Sequence, residues 1–131
     1  MALTSDRNTP MRGIGLLALA VAAGTRIYAG SLVVVDASGF AIPGKVGTGL
    51  GYAGRAEESV DNTNGAAGAV RVPVRRGEAF KWANDGTITQ AQLFKTAYVI
   101  DDQTVGATDD TGKRSAAGRI TGIDADGVWI E

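Results

Sequence analysis

Three groups of residues in this chain have the types and spacing that chemistry uses. Gly49-x-Gly51-x-x-Gly54 matches the glycine fingerprint that lets a backbone approach a pyrophosphate. Asp101-Asp102 and Asp109-Asp110 are carboxylate doublets of the kind that share a proton or a metal ion. Asp124-x-Asp126-Gly127 has the opening of a calcium loop. Each falls short in its surroundings. The fingerprint needs a helix after it, but the next residues are Arg55-Ala56-Glu57-Glu58, whose acidic pair would face a pyrophosphate poorly. Neighbouring residues on a strand point to opposite faces, so neither doublet forms a pair by itself. The calcium-like stretch lacks a third oxygen ligand and the closing glutamate.

The composition removes further classes. The chain has no histidine and no cysteine, so it lacks the usual general base, a thiol nucleophile, thiolate zinc ligands and disulfides. No serine-nucleophile elbow and no phosphate loop occur. Thirteen basic residues against fourteen acidic ones leave no basic face for nucleic acid. The expectation is a protein without catalytic residues, without a cofactor and without a bound metal.

The elements that would position any site are short strands and tight turns. Nineteen glycines are spread between valine, isoleucine and threonine, without a collagen period and without an internal repeat of useful length. Leu32-Val33-Val34-Val35 reads as a strand buried on both faces or set at a subunit contact. Val70, Val72 and Val74 alternate with polar residues as a half-buried strand, which Pro73 marks as an edge or turns its nitrogen away from a neighbour. Asp61–Gly65 and Asp101–Gly112 read as loops. Thr89–Phe94 is the one plausible helix, of one or two turns, with Thr89 as N-cap. Arg114–Ile123 and Val128–Glu131 read as a closing hairpin in which Gly127 supplies a left-handed residue. Trp82, Phe94 and Trp129 read as core.

Two readings fit Gly13–Gly24. It is apolar, lies between Arg12 and Arg26, and is too short to span a bilayer, so no membrane partner is expected. Arg7, Arg12 and the small residues Ala20-Val21-Ala22 suit a signal segment cleaved near Ala22, whereas Asp6, Pro10 and the weak hydrophobicity suit a strand or two of the core. Residues 1–12 are polar and turn-bearing, so they form an N-terminal arm ahead of a single domain over 13–131. The fold class expected is mainly β: a small β-clip or β-barrel-like domain with an extended arm and at most one or two short helices.

Ala23-Gly24-Thr25-Arg26-Ile27-Tyr28-Ala29-Gly30-Ser31-Leu32-Val33 looks like the opening of a β-clip fold. With Gly51–Ala56, Gly77–Trp82, Ala97–Val105, Ala117–Ile120 and Asp124–Trp129, nearly the whole chain resembles the capsid cement, or head decoration, proteins of tailed bacteriophages. Mu-like relatives are more similar than lambda-like ones. The resemblance is one of pattern and order, carried by glycine turns and apolar strands. It implies a virion protein on the outer surface of the expanded capsid, made in the bacterial host cytoplasm. It implies the major capsid protein and further copies of itself as partners, as a homotrimer or a dimer. It places capsid binding on the arm, at Leu3, Thr4, Arg7, Asn8, Thr9, Pro10, Met11 and Arg12. The alternatives are an exported envelope or adhesive β-domain behind a signal segment, and a tail or fibre accessory protein.

Overall fold

A computed structural model describes all residues, 1–131. The chain is mainly β, as its short apolar runs and glycine turns dictate. Twelve strands form: β1 Leu16–Ala20, β2 Thr25–Ile27, β3 Leu32–Val35, β4 Ala41–Pro43, β5 Gly51–Ala56 and β6 Val60–Asn62, then β7 Arg71–Arg75, β8 Phe80–Asn84, β9 Thr96–Val99, β10 Thr104–Gly106, β11 Ala116–Asp124 and β12 Gly127–Ile130. The expected helix is a single 3-10 turn, Gln90–Gln92, in which Gln92 Oε1 accepts from the Thr89 N–H at 2.7 Å.

Ten of the strands make two lobes, while β2 and β6 pair with each other beside the first and have no counterpart in the second. In the first, the sheet order is β1-β7-β5-β3-β4; in the second, β10-β8-β12-β11-β9 close into a barrel. Written from β8, the second order is β8-β12-β11-β9-β10, and the two lobes then match strand for strand. The registers match too. Val33 faces Gly54 and Val34 faces Tyr52, so Ala53 is bulged out. Ala97 faces Gly118 and Tyr98 faces Ala116, so Ala117 is bulged out at the same place. The one parallel contact in each lobe closes it: Val21 with Ala41 in the first, β10 with β8 in the second. The molecule is therefore an internal duplication, contrary to the repeat-free reading of the sequence. Ala53-Gly54-Arg55 and Ala117-Gly118-Arg119 are the equivalent triplets. The backbone pairing is duplicated and the side chains have diverged, so pattern alone does not reveal it.

β3 is the wall between the lobes, which explains its unbroken valines. Leu32 and Val34 join the core of the second lobe with Trp82, Val99, Ile120 and Ile130. Val33 points the other way, into the core of the first lobe with Val21, Ile27, Val72 and Val74. All of these except Trp82 are wholly buried, and each such side chain contributes about 1.5–3 kcal/mol by leaving water.

Several expectations are corrected by tertiary context. β7 is an interior strand, between β1 and β5. Bonds from Arg76 N–H to Gly15 O and from Val21 N–H to Val70 O alternate along β1, so Pro73, opposite Ala18, turns its nitrogen away from that neighbour. On the other side Pro73 O accepts from Glu57 N–H at the end of a short ladder, where a missing donor breaks little. Ile14 and Leu16 are not core; they are 68% and 51% exposed, at and just before the edge strand β1. Asp61–Gly65 is not all loop, because Asn62 ends β6 and is buried, its Nδ2 donating to Ala22 O and Ala66 O at 2.9 Å each. Asp101–Gly112 holds β10, which closes the second barrel. Gly127 has no left-handed backbone; it is glycine because a Cβ would meet Trp82 O at 2.8 Å.

Candidate functional site

The arm lies outside the fold. Residues 1–13 are exposed and belong to no strand. Their sequence explains this: they alternate no apolar face that a sheet could bury. Leu3 is 71% and Met11 99% exposed, and Thr4, Arg7, Asn8, Thr9, Pro10 and Arg12 are exposed beside them. The first residue tied to the body is Gly15, whose carbonyl accepts from the Arg76 N–H at 2.9 Å.

Arg76 also borders the larger cleft of the molecule, of about 530 Å³, between the lobes. Its walls are the equivalent stretches Tyr52–Gly54 of β5 and Ala116–Gly118 of β11. β7 pairs with β5 at Arg55 and Ala56, with one further bond from the Glu57 N–H to Pro73 O. β12 reaches β11 only from Ile120 onward, with Glu131 and Arg119 exchanging one further pair of backbone bonds. Each wall therefore has a strand partner on one side and none on the side facing the cleft. The rim carries Arg76, Glu78 and Glu131, and Phe80 lies on the floor beneath the Arg55 guanidinium, 4.7 Å from its ring centroid. Sequence reasoning missed this cleft; the repeated Ala-Gly-Arg triplet was the available signal.

Charge around the cleft is locally balanced. Glu57 bonds Arg55 at 2.7 Å and Arg75 at 3.3 Å, and these bonds, Arg55's first, hold its carboxyl below the ordinary carboxylate range. The Tyr52 hydroxyl is raised above its ordinary value by burial, against the opposing pull of Trp82 and Arg76. Trp82 Nε1 donates to that hydroxyl at 3.1 Å. Tyr52→Phe would leave the part-buried indole N–H without this acceptor and is expected to cost about 1 kcal/mol, read as a lower urea midpoint with unchanged slope.

The other candidate groups stay apart. Gly49-x-Gly51-x-x-Gly54 leads into β5 and no helix comes after it. Asp101 Oδ1 accepts from the Gln103 N–H in a turn. Asp124 Oδ2 accepts a hydrogen bond from the Trp129 Nε1–H at 2.8 Å, and Asp126 pairs with Lys81 at 2.9 Å, so the two point to different partners. Trp82 is core as expected, but Phe94 is 64% and Trp129 37% exposed. They are shielded instead by cations, Arg119 over Phe94 and Lys81 over Trp129. No protein-family model, no curated protein and no solved structure matches this chain.

Proposed function

We propose that the chain is a virion structural protein that binds the outer surface of an expanded phage capsid, bridging neighbouring capsomers and stabilising the shell, with no catalytic step of its own. The observation that carries this reading is the free arm: a polar segment with Leu3 and Met11 exposed, rooted on a five-stranded sheet packed beside a closed barrel. Such an arm suits addition to an exposed strand edge of the capsid protein, where backbone bonds supply the affinity and one or two apolar anchors the register. Several arms of one oligomer acting together make weak single contacts sufficient. The near-neutral charge, thirteen basic and fourteen acidic residues, suits dense packing on a shell.

The place of Gly13–Gly24 weighs against the signal-segment alternative. Cleavage near Ala22 would remove β1 from its sheet and take wholly buried Val21 out of the first core.

Removal of residues 2–11 is expected to leave the fold intact, because the segment bonds to nothing in the body. The same deletion should lower binding to expanded, undecorated shells of the parent phage at least tenfold. Co-sedimentation measures this, with circular dichroism as the control. Near-normal co-sedimentation of the truncated chain would refute arm-mediated attachment.

A further inference from the structure

We propose that the Asn64–Gly65 link is a site of self-modification: the Asn64 side-chain amide closes on the Gly65 nitrogen, and the ring reopens to an aspartyl or isoaspartyl link that loosens the Asn62 clamp of the first lobe. This goes beyond the capsid reading and does not depend on it.

The reaction needs an asparagine amide that is free to move and a following residue with no side chain to block the approach. Of the four asparagines, Asn8, Asn62, Asn64 and Asn84, only Asn64 precedes a glycine. The amides of Asn62 and Asn84 are held, Asn62 Nδ2 by Ala22 O and Ala66 O and Asn84 Nδ2 by Ile88 O. Asn64 is exposed, and the side-chain bonds of its loop end on Asp61 and Asn62 instead. The Gly65 N–H makes one turn bond, to Asn62 O at 3.1 Å, which spans exposed Thr63 and Asn64, so a local opening frees it. The Gly65 nitrogen then bonds to Asn64 Cγ and gives up its proton, and ammonia leaves. Water opens the cyclic imide at either carbonyl. At the side-chain carbonyl it restores the ordinary backbone with an aspartate. At the main-chain carbonyl it leaves the backbone running through the side chain, one carbon longer.

The fold requires the glycine that makes Asn64 reactive. A Cβ on Gly65 would run into Asn62 Oδ1. Asn62 is the clamp of this region: it is buried, and its Nδ2 gathers the carbonyls of Val21 and Ala22, just past β1, together with Ala66 O across the turn. The Asn64–Gly65 link lies inside the loop that Asn62 closes on Ala66. An extra carbon in that link displaces the Gly65 N–H and Ala66 O from Asn62, and the carbonyls of Val21 and Ala22 lose their shared donor. The effect belongs to the first lobe, because β2 and β6 have no counterpart in the second. The acidic residues that precede a glycine are better held. Asp126 precedes Gly127, but the hydrogen bond from Lys81 keeps its carboxyl below the ordinary carboxylate range, and an ionised carboxylate resists attack. Asp85 precedes Gly86, and its Oδ1 accepts from the Thr87 N–H at 2.9 Å.

The test ages the whole chain, parent and Asn64→Gln, at body temperature in mildly alkaline buffer. Peptide mapping with isoaspartate-specific methylation follows each asparagine. Conversion at Asn64 at least tenfold faster than at Asn8, Asn62 or Asn84 is the expected result, with ammonia release that Asn64→Gln suppresses. Asn64 intact when Asn8 has converted, or no conversion at all, would overturn the assignment. Amide hydrogen exchange reads the clamp. In the aged parent the N–H groups of Val21, Ala22 and Gly68, which tie the end of β1 to its surroundings, should exchange several-fold faster than in the fresh chain. Those of Val99 and Ile120 in the second lobe should be unchanged. Asn64→Asp places the new charge on an ordinary backbone and should exchange as the fresh parent does. An aged chain that carries the isoaspartyl link and still exchanges as the fresh one, or an Asn64→Asp chain that exchanges as fast as the aged one, would overturn the release of the clamp. Both readouts use the free protein, whereas the capsid reading is tested by co-sedimentation with shells, so failure of one is distinguishable from failure of the other.

Discussion

Val34→Asp is expected to leave the chain predominantly unfolded. Val34 is wholly buried and faces the core of the second lobe from a strand in which the adjacent residue, Val33, is wholly buried in the first. The new carboxylate would find no cation among Trp82, Val99 and Ile120, and the one donor there, the Trp82 indole N–H, is already given to the Tyr52 hydroxyl. Its desolvation costs several kcal/mol whether it stays charged or takes up a proton. That is comparable with the whole stability of a domain of this size, about 5–15 kcal/mol. Because β3 serves both lobes, the loss should not be confined to one, and a single cooperative transition should disappear. Val46→Asp is the matched control: Val46 is 48% exposed, so its change should stay within about 0.5 kcal/mol. Chemical denaturation of the two variants checks this, and a Val34→Asp chain that folds with near-parent stability would remove β3 from its place between the cores.

The second large effect is expected at the equivalent glycines. Gly54 has φ +134° and a Cβ there would lie 2.1 Å from Arg75 O. Gly118 has φ +148° and a Cβ there would lie 2.3 Å from Glu131 O. Both backbones sit where side chains are rarely tolerated, and both clashes are with main-chain oxygens that are held in ladders. Gly54→Ala and Gly118→Ala should each cost about 3 kcal/mol or more, since strain and displacement add. Gly13→Ala, where a Cβ meets nothing within 4 Å, should be close to neutral. The similarity of the two large effects tests the duplication itself. If one glycine tolerates alanine at under about 1 kcal/mol while the other does not, the two bulges are not equivalent structures.

Much of the β architecture was legible because it is local. Alternation at Val70, Val72 and Val74 fixed a strand, and three valines in a row fixed a strand buried on both faces, since side-chain direction follows from strand period alone. The single capped turn at Thr89 follows from local chemistry for the same reason. The misreadings share one cause. Pro73 suits an edge strand or a nitrogen turned from its neighbour, and the sheet decides for the second: β7 is interior, Pro73 turns its nitrogen from β1, and the short β5 ladder ends at it. Asn62 reads as a loop residue, yet three carbonyls of distant and local chain converge on its amide and make it core. Phe94 and Trp129 read as core because they are aromatic, yet cations drawn from other strands cover them at the surface.

By itself, then, the sequence determined the class of structure and the character of the arm. Period, glycine content and the absence of histidine and cysteine are properties of single segments and need no partner to be expressed. Only the tertiary structure decided that the lobes are one unit built twice, and that two half-paired strands face each other across a cleft beside the root of the arm. Those are facts about register and about which strand ends first. Register is set by contacts between segments far apart in the chain: Arg55 with Arg75, Arg119 with Glu131, Val21 with Ala41. Backbone pairing of that kind tolerates almost any side chain, so the duplication survives in the hydrogen bonds after nearly all trace of it has left the residues.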